Sequence, residues 1–201
     1  MCSSDLFPSH DIITLNILSD VCEPYACRFL ASSKTSWRRS GPTTKFTTAP
    51  AGSHSYGEKR QKKDIVSIMA AHGAPYVAQV APNKWKDMVK KIQRGFDTNG
   101  PVFINAMSAC TTEWKFAPNQ TIEVSDLAVD SLVFPLYEII DGRELNITYR
   151  PKNIIPVRDY LGAQPRFKHL FKPENEYLID EWQKRIDGRW AFLQKREEIR
   201  M

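Results

Sequence analysis

The sequence lacks any long apolar run, so none of its predicted elements is a membrane-spanning helix. No stretch of the 201 residues approaches the ~18 consecutive apolar residues that such a helix needs. The apolar segment at residues 12–18 is interrupted by Thr14 and Asn16 and has no basic flank before it, which does not favour a signal peptide. Because 42% of the residues are hydrophobic and 25% are charged, the composition predicts a globular protein, and we expect it in the cytoplasm.

Cysteine is scarce, and the common phosphate-binding motifs are missing. The four cysteines are Cys2, Cys22, Cys27 and Cys110. Without an export signal, they do not favour a disulfide framework. The sequence contains no G-x-G-x-x-G or P-loop motif, and no pair of carboxylates stands out. No acid–base pair is therefore predicted, and no residue is assigned a catalytic role.

Positive charge is in excess, with a net charge of +5. Much of the excess lies in residues 34–45 and 59–63. A basic surface of this kind binds phosphates or an acidic protein, or it is simply a solvated loop. Because no helix-turn-helix or RNA-binding signature accompanies the charge, nucleic acid is not expected as a partner.

Regular patterning begins at Asp64, after a loop-like stretch at residues 38–63. Asp64 is a candidate N-cap for a helix that ends at Gly73, and His72 is expected to contact carbonyl groups at the end of this helix. A short buried strand at residues 76–80 follows. Pro82 opens the next helix, which has one apolar stripe made of Trp85, Met88, Val89, Ile92 and Phe96. We expect Trp85 in the core. A second short apolar strand covers residues 102–106.

Two short apolar strands joined by a helix predict a βαβ unit with parallel strands in an α/β fold. Cys110 then lies beyond the carboxyl end of the second strand, where such sheets carry functional groups. The spacing leaves three interpretations open: a buried thiol, a metal ligand, or a nucleophile. A nucleophile needs a base, and the candidates are His54, His72 and His169.

Downstream, the pattern predicts a helix, a hairpin and a long last helix. Thr121 caps the first helix and Pro135 ends it. Residues 136–149 alternate around a turn at residues 141–144, and residues 151–171 look irregular. The last helix follows Pro173 and carries a stripe of large apolar residues that includes Trp182 and Trp190, both expected in the core.

Several blocks of the sequence resemble the β subunit of 2-oxoacid:ferredoxin oxidoreductases, particularly the pyruvate enzyme. Residues 100–110, GPVFINAMSAC, are similar to that subunit's segment G-P-x-F-I-N-x-x-S-P-C. Further blocks match in the same order: residues 39–43, 47–52, 62–64, 68–73, 75–80, 128–129, 134–138 and 166–171.

This resemblance implies a thiamine-diphosphate-binding α/β fold with a partial, mostly parallel sheet flanked by helices. It implies oxidative decarboxylation of pyruvate or a related 2-oxoacid, with the acyl group passing to coenzyme A and electrons passing through iron–sulfur clusters to ferredoxin. The implied cofactors are thiamine diphosphate, Mg²⁺ and a [4Fe–4S] cluster, of which Cys110 is a ligand. Thr35, Ser40 and Thr43 are candidates for cofactor binding. The implied partners are the α, γ and δ subunits and ferredoxin.

The chain departs from the family near its N-terminus. The Gly-Asp-Gly motif that holds the diphosphate through Mg²⁺ and the upstream C-x-x-C pair are both absent. We therefore expect residues 1–38 to be a non-family segment that is disordered or artefactual, and residues 39–201 to be the C-terminal part of a thiamine-diphosphate-binding domain with its C-terminal extension. On this view the N-terminal part is missing or frame-shifted, and the chain is inactive alone. The alternative is a binding or assembly module without a cofactor.

Overall fold

A computed structural model describes residues 13–19, as backbone, and residues 64–199. It contains one five-stranded sheet with the strand order β1-β3-β2-β4-β5. The strands are β1 (Ile13–Ser19), β2 (Tyr76–Val80), β3 (Val102–Ser108), β4 (Tyr137–Ile140) and β5 (Glu144–Ile147).

The helices pack on both faces of this sheet. They are α1 (Ile65–Ala71), α2 (Trp85–Asp97), α3 (Thr111–Trp114), α4 (Thr121–Asp130), α5 (Val157–Gly162) and α6 (Glu176–Glu198). Short 3₁₀ turns lie at Pro82–Lys84, Pro118–Gln120, Pro165–Phe171 and Pro173–Asn175. Among the residues that the structure describes, no helix is both long and apolar enough to cross a membrane.

The α/β fold predicted from the sequence is confirmed. Strand β3 pairs in parallel with β1 on one side and with β2 on the other, and α2 connects β2 to β3 as the predicted βαβ unit requires. The predicted hairpin, β4 and β5, joins the same sheet because β4 pairs antiparallel with β2. The complete sheet is therefore mixed. β1 lies within residues 1–38, for which the sequence predicts no regular element, and a domain boundary at residue 38 stays a prediction.

The start of α1 follows the predicted capping pattern. The Asp64 carboxylate accepts hydrogen bonds from the Ser67 backbone N–H at 3.2 Å and from the Ser67 hydroxyl at 2.8 Å. At the other end, His72 Nδ1 lies 2.8 Å from the Ile68 carbonyl oxygen. His72 thus has the structural role that its sequence position predicts. The elements at residues 157–171, in contrast, were predicted to be irregular and form α5 and a 3₁₀ segment.

The two faces of the sheet bury different sets of side chains, because neighbouring residues of a strand point to opposite sides. Tyr76 and Ala78 of β2 face α2, together with Ile104 of β3. Val77 of β2 and Phe103 of β3 face the other side, where α1 and part of α6 cover them. A third and larger apolar cluster surrounds α3, α4, α5 and the first half of α6.

Helix α2 contacts the sheet through part of the predicted stripe, since Met88 and Ile92 pack on it, and through two residues that the pattern did not predict. The stripe residues Trp85, Val89 and Phe96 are 59%, 40% and 70% exposed, whereas the buried residues of the helix are Lys91 and Gly95. The prediction that Trp85 lies in the core is therefore wrong. A Cβ atom at Gly95 would stand 3.2 Å from a methyl group of Val102, so the absence of a side chain there permits close packing on β3.

Two glycine substitutions test the backbone conformation of the hairpin turn against that of a helix. Gly142, in the turn of the hairpin, has φ +70°, and a Cβ atom there would stand 3.0 Å from the Ala70 carbonyl oxygen. We expect Gly142→Ala to lower the free energy of unfolding by about 1–2 kcal/mol or more, since an L-residue is strained in this conformation. Gly188 lies in α6 with nothing within 4 Å of its Cβ position. Gly188→Ala should raise that free energy by roughly 0.5–1 kcal/mol. Urea unfolding measures both, and equal effects would contradict the assignment of the turn.

Candidate functional site

Cys110 lies at the carboxyl edge of the sheet, as predicted. Strand β3 ends at Ser108, and Cys110 is the N-cap residue of α3, with an extended backbone at φ −89° and ψ 107°. Its carbonyl oxygen accepts a hydrogen bond from the Trp114 N–H at 3.0 Å. The side chain is partly exposed and packs against the large apolar cluster, and Cys110 is the one free cysteine in the described part of the chain.

A cluster of aromatic side chains and one arginine packs beneath the segment that carries Cys110. The Trp114 ring is 1% exposed and meets the Tyr160 ring edge-on, with centroids 6.3 Å apart. The Arg166 guanidinium lies 4.5 Å from the centroid of the Trp114 ring and 4.5 Å from that of Phe167. Gln164 fixes this guanidinium by accepting a 2.8 Å hydrogen bond from Arg166 Nε. Cation–π contacts of this kind are strongest where water is excluded, so they stabilise the packing beneath the Cys110 segment.

Within residues 64–199, no histidine is placed to act as a general base for the Cys110 thiol. His72 is engaged at the end of α1, and neither His72 nor His169 is hydrogen-bonded to Cys110. Burial, together with the positive charge of Lys172, lowers the pKa of His169 below its usual range, although a hydrogen bond to the Arg166 backbone opposes this shift. His54 falls outside the described residues. The nucleophile interpretation therefore has no supporting geometry here.

The donor set around Cys110 does not by itself form a metal centre. Within the described ranges, no group of three or more His, Cys, Asp or Glu side chains is placed to hold a metal ion. A [4Fe–4S] cluster takes four thiolates, and Cys110 supplies one. Cys2, Cys22 and Cys27 lie outside the described residues.

The other predicted contacts to cofactors are not described by the structure. Thr35, Ser40 and Thr43 fall outside the described residues, and their role in cofactor binding stays a prediction. The sequence also lacks the Gly-Asp-Gly motif for Mg²⁺. The described residues therefore do not complete a site for Mg²⁺ and a diphosphate, which needs several oxygen ligands in a defined geometry.

A pair of buried amide side chains joins β2 and β3 on the face opposite α2, and the sequence pattern did not predict it. Gln79 of β2 accepts a 2.9 Å hydrogen bond from Asn105 Nδ2 and donates one of 2.7 Å to the Pro135 carbonyl oxygen. Asn105 is 1% exposed, and its Oδ1 atom has no partner among the described residues. In register, Asn105 stands between Gln79 of β2 and Asn16 of β1. The available signal was one amide residue inside each of two otherwise apolar strands.

A second buried polar group joins α2 to the sheet on the other face. The Glu138 carboxylate of β4 accepts a 2.6 Å hydrogen bond from the Tyr76 hydroxyl and pairs with Arg94. Burial and the contact with Glu138 raise the pKa of Tyr76 well above its usual range. Lys91 Nζ donates to the Gln79 carbonyl oxygen and to Asp87, each at 2.7 Å. Burial lowers the pKa of Lys91, while Asp87 acts against this shift.

Comparison with known proteins defines the class of the chain. Residues 37–106 match the family model for the C-terminal, thiamine-pyrophosphate-binding domain of thiamine pyrophosphate enzymes. This region contains α1, β2, α2 and most of β3. Together with the sheet topology, the match defines this part of the chain as a domain of the thiamine pyrophosphate enzyme class.

Similarity to individual proteins is more specific. The chain is 45% identical over 147 residues to pyruvate synthase subunit PorB of Methanocaldococcus jannaschii, an alignment that covers 73% of the chain and 48% of the relative. It is 36% identical over 166 residues to PorB of Thermotoga maritima, covering 81% of the chain and 51% of the relative. It is 33% identical over 154 residues to ketoisovalerate oxidoreductase subunit VorB of Pyrococcus abyssi, covering 76% of the chain and 48% of the relative.

These matches confirm, for the aligned part of the chain, the predicted resemblance to the β subunit of 2-oxoacid:ferredoxin oxidoreductases. The chain spans about half the length of the curated relatives that it matches.

The pKa of His169 predicts a pH dependence of stability. The unfolded histidine binds a proton near its ordinary pKa of about 6.5, whereas the folded histidine binds it only at lower pH. Between these two pKa values the unfolded state holds more protons, so stability falls as the pH falls. We expect His169→Gln to lose less stability than the wild type between about pH 7.5 and 5.5. Urea unfolding at both pH values tests this, and parallel losses in the two proteins would contradict it.

Proposed function

We propose that the chain is the C-terminal part of the β subunit of a 2-oxoacid:ferredoxin oxidoreductase that acts in the cytoplasm. The intact enzyme removes CO₂ from pyruvate or a related 2-oxoacid, transfers the acyl group to coenzyme A and passes the electrons to ferredoxin. The observation that carries this proposal is the 45% identity to a pyruvate synthase subunit over 147 residues. The match to a thiamine pyrophosphate enzyme domain, which ends just before the Cys110 segment, supports it.

In this assignment, the residues of the chain have positioning roles. The Cys110 thiolate is one ligand of a [4Fe–4S] cluster, and the packed pair of Trp114 and Arg166 holds its segment at the edge of the sheet. Thiamine diphosphate, Mg²⁺ and the remaining cluster ligands belong to the intact subunit, because the described residues do not complete either site. The chain alone is therefore inactive, and its partners are ferredoxin and the α, γ and δ subunits of the oxidoreductase.

A cofactor-free binding or assembly module is the second candidate. The exposed apolar side chains of α2 favour it, because they form a surface that is suited to another polypeptide. The two functions differ in what happens when the chain is joined to the missing half of a relative. Only the first function predicts that electron transfer then depends on Cys110.

A chimeric subunit tests the oxidoreductase assignment. The region of Methanocaldococcus jannaschii PorB that aligns with residues 64–201 would be replaced by those residues and assembled with its natural partner subunits. We expect pyruvate-dependent reduction of ferredoxin. Cys110→Ser in the chimera should lower the rate by at least about tenfold and reduce the iron–sulfur absorbance, since a cluster that loses a thiolate ligand is labile.

Ser108→Ala, a change in the same segment that removes no thiolate, is the matched control and should retain the cluster absorbance. An assembled chimera that keeps its full rate and iron–sulfur absorbance after Cys110→Ser would overturn the role of Cys110. An assembled chimera without any activity would count against the family function itself.

The isolated chain should not bind thiamine diphosphate in a Mg²⁺-dependent manner, because the motif that coordinates the metal is missing from its sequence. Isothermal titration of the purified full chain with thiamine diphosphate, with and without Mg²⁺, measures this. Saturable heat that appears only with Mg²⁺ would exclude the cofactor-free module and would also show that a diphosphate site exists outside the described residues.

A further inference from the structure

One flank of α2 carries large apolar side chains in a single line. Trp85, Val89 and Phe96, here called the α2 stripe, are 59%, 40% and 70% exposed. Ile92 continues the same spacing but is half-buried and packs on the sheet, so the line runs along the border between the buried and exposed faces of the helix. The spacing of four, three and four residues places these side chains on one side of a helix over three turns. Single exposed apolar residues are common, but an aligned row is typical of a helix that packs against another helix.

The α2 stripe cannot turn inward without breaking the contacts that fix the helix. Lys91 is buried against the sheet and donates to the Gln79 carbonyl oxygen, and Arg94 pairs with buried Glu138. Rotating α2 to bury Trp85 would leave these charged groups buried without partners or pull them into solvent, and uncompensated buried charge is costly. Whatever covers the α2 stripe must therefore come from outside the described sheet and helices.

The charge beside the α2 stripe indicates which occupant it takes. Lys86, Lys90 and Arg94 are exposed along the helix, and the Lys86 ammonium lies 5.6 Å from the centroid of the Trp85 ring. The exposed carboxylate of α2 is Asp97, at its C-terminal end. A second copy of α2 would bring like charges together, whereas a surface rich in carboxylates would be attracted.

We propose that the α2 stripe is a docking site for an acidic amphipathic helix of another polypeptide. Apolar side chains of that helix would pack on Trp85, Val89 and Phe96, and its carboxylates would face Lys86 and Lys90. The site does not depend on the oxidoreductase assignment, because its argument uses only the exposure, orientation and charge of α2.

A defined peptide pair tests this site. The first peptide is a fluorescent helical sequence with leucines in the same four-three-four spacing and glutamates elsewhere, and the second replaces the glutamates with lysines. Fluorescence anisotropy is measured with the full-length chain. The acidic peptide should bind, and Val89→Glu should weaken its binding by at least about tenfold, because a carboxylate then interrupts the apolar contact and repels the glutamates. The lysine peptide should bind at least about tenfold more weakly than the acidic one.

Phe192→Glu is the matched control. Phe192 is 60% exposed on α6, whose neighbouring residue Leu193 packs on the opposite face of the sheet, so this variant should bind the acidic peptide as the wild type does. Circular dichroism confirms that both variants are folded. Absence of binding by the acidic peptide, or equal binding of both peptides, would overturn the proposal. So would a dimer in analytical ultracentrifugation, or binding to phosphatidylserine vesicles, that Val89→Glu abolishes.

Discussion

The burial of charged side chains between α2 and the sheet is the interaction on which the arrangement of this domain depends. Glu138 of β4 lies beneath α2 and is held by Tyr76 of β2 and by Arg94 of α2, so a single carboxylate joins three elements. Lys91 adds a bond to the backbone of β2. Removing Tyr76 or Arg94 would leave the buried Glu138 carboxylate with fewer partners, which is costly even though Arg94 itself is half-exposed. The orientation of α2 and the antiparallel attachment of β4 to β2 are therefore fixed together.

This constraint also positions the candidate site. With α2 fixed on one face and α1 on the other, β3 is held between β1 and β2 and delivers Cys110 to the edge of the sheet. The segment after Cys110 then rests on Trp114, whose ring is enclosed by aromatic neighbours and the Arg166 guanidinium. A side chain on such a support has few alternative positions, which suits a metal ligand, since ligand geometry depends on the groups behind the ligand.

The sequence predicted the elements better than their contacts. The β2-α2-β3 unit and the cap at Asp64 were predictable because both depend on local spacing and local hydrogen bonds. The burial of Lys91 was not, since its reach to the Gln79 carbonyl depends on how α2 lies on the sheet. The Gln79–Asn105 pair required knowledge of strand register. Helix α5 is too short to show a period. For Cys110, the strand pattern predicted the place, while the ligand role came from the family resemblance.

The α2 stripe and Cys110 lie near the same edge of the sheet. In a parallel βαβ unit the helix runs opposite to its strands, so the N-terminal end of α2 lies at the same edge of the sheet as Cys110. Lys84, just before α2, pairs with Asp126 and Asp130 of α4 at that end. A polypeptide that packs along the α2 stripe from Phe96 to Trp85 therefore reaches the edge where Cys110 lies.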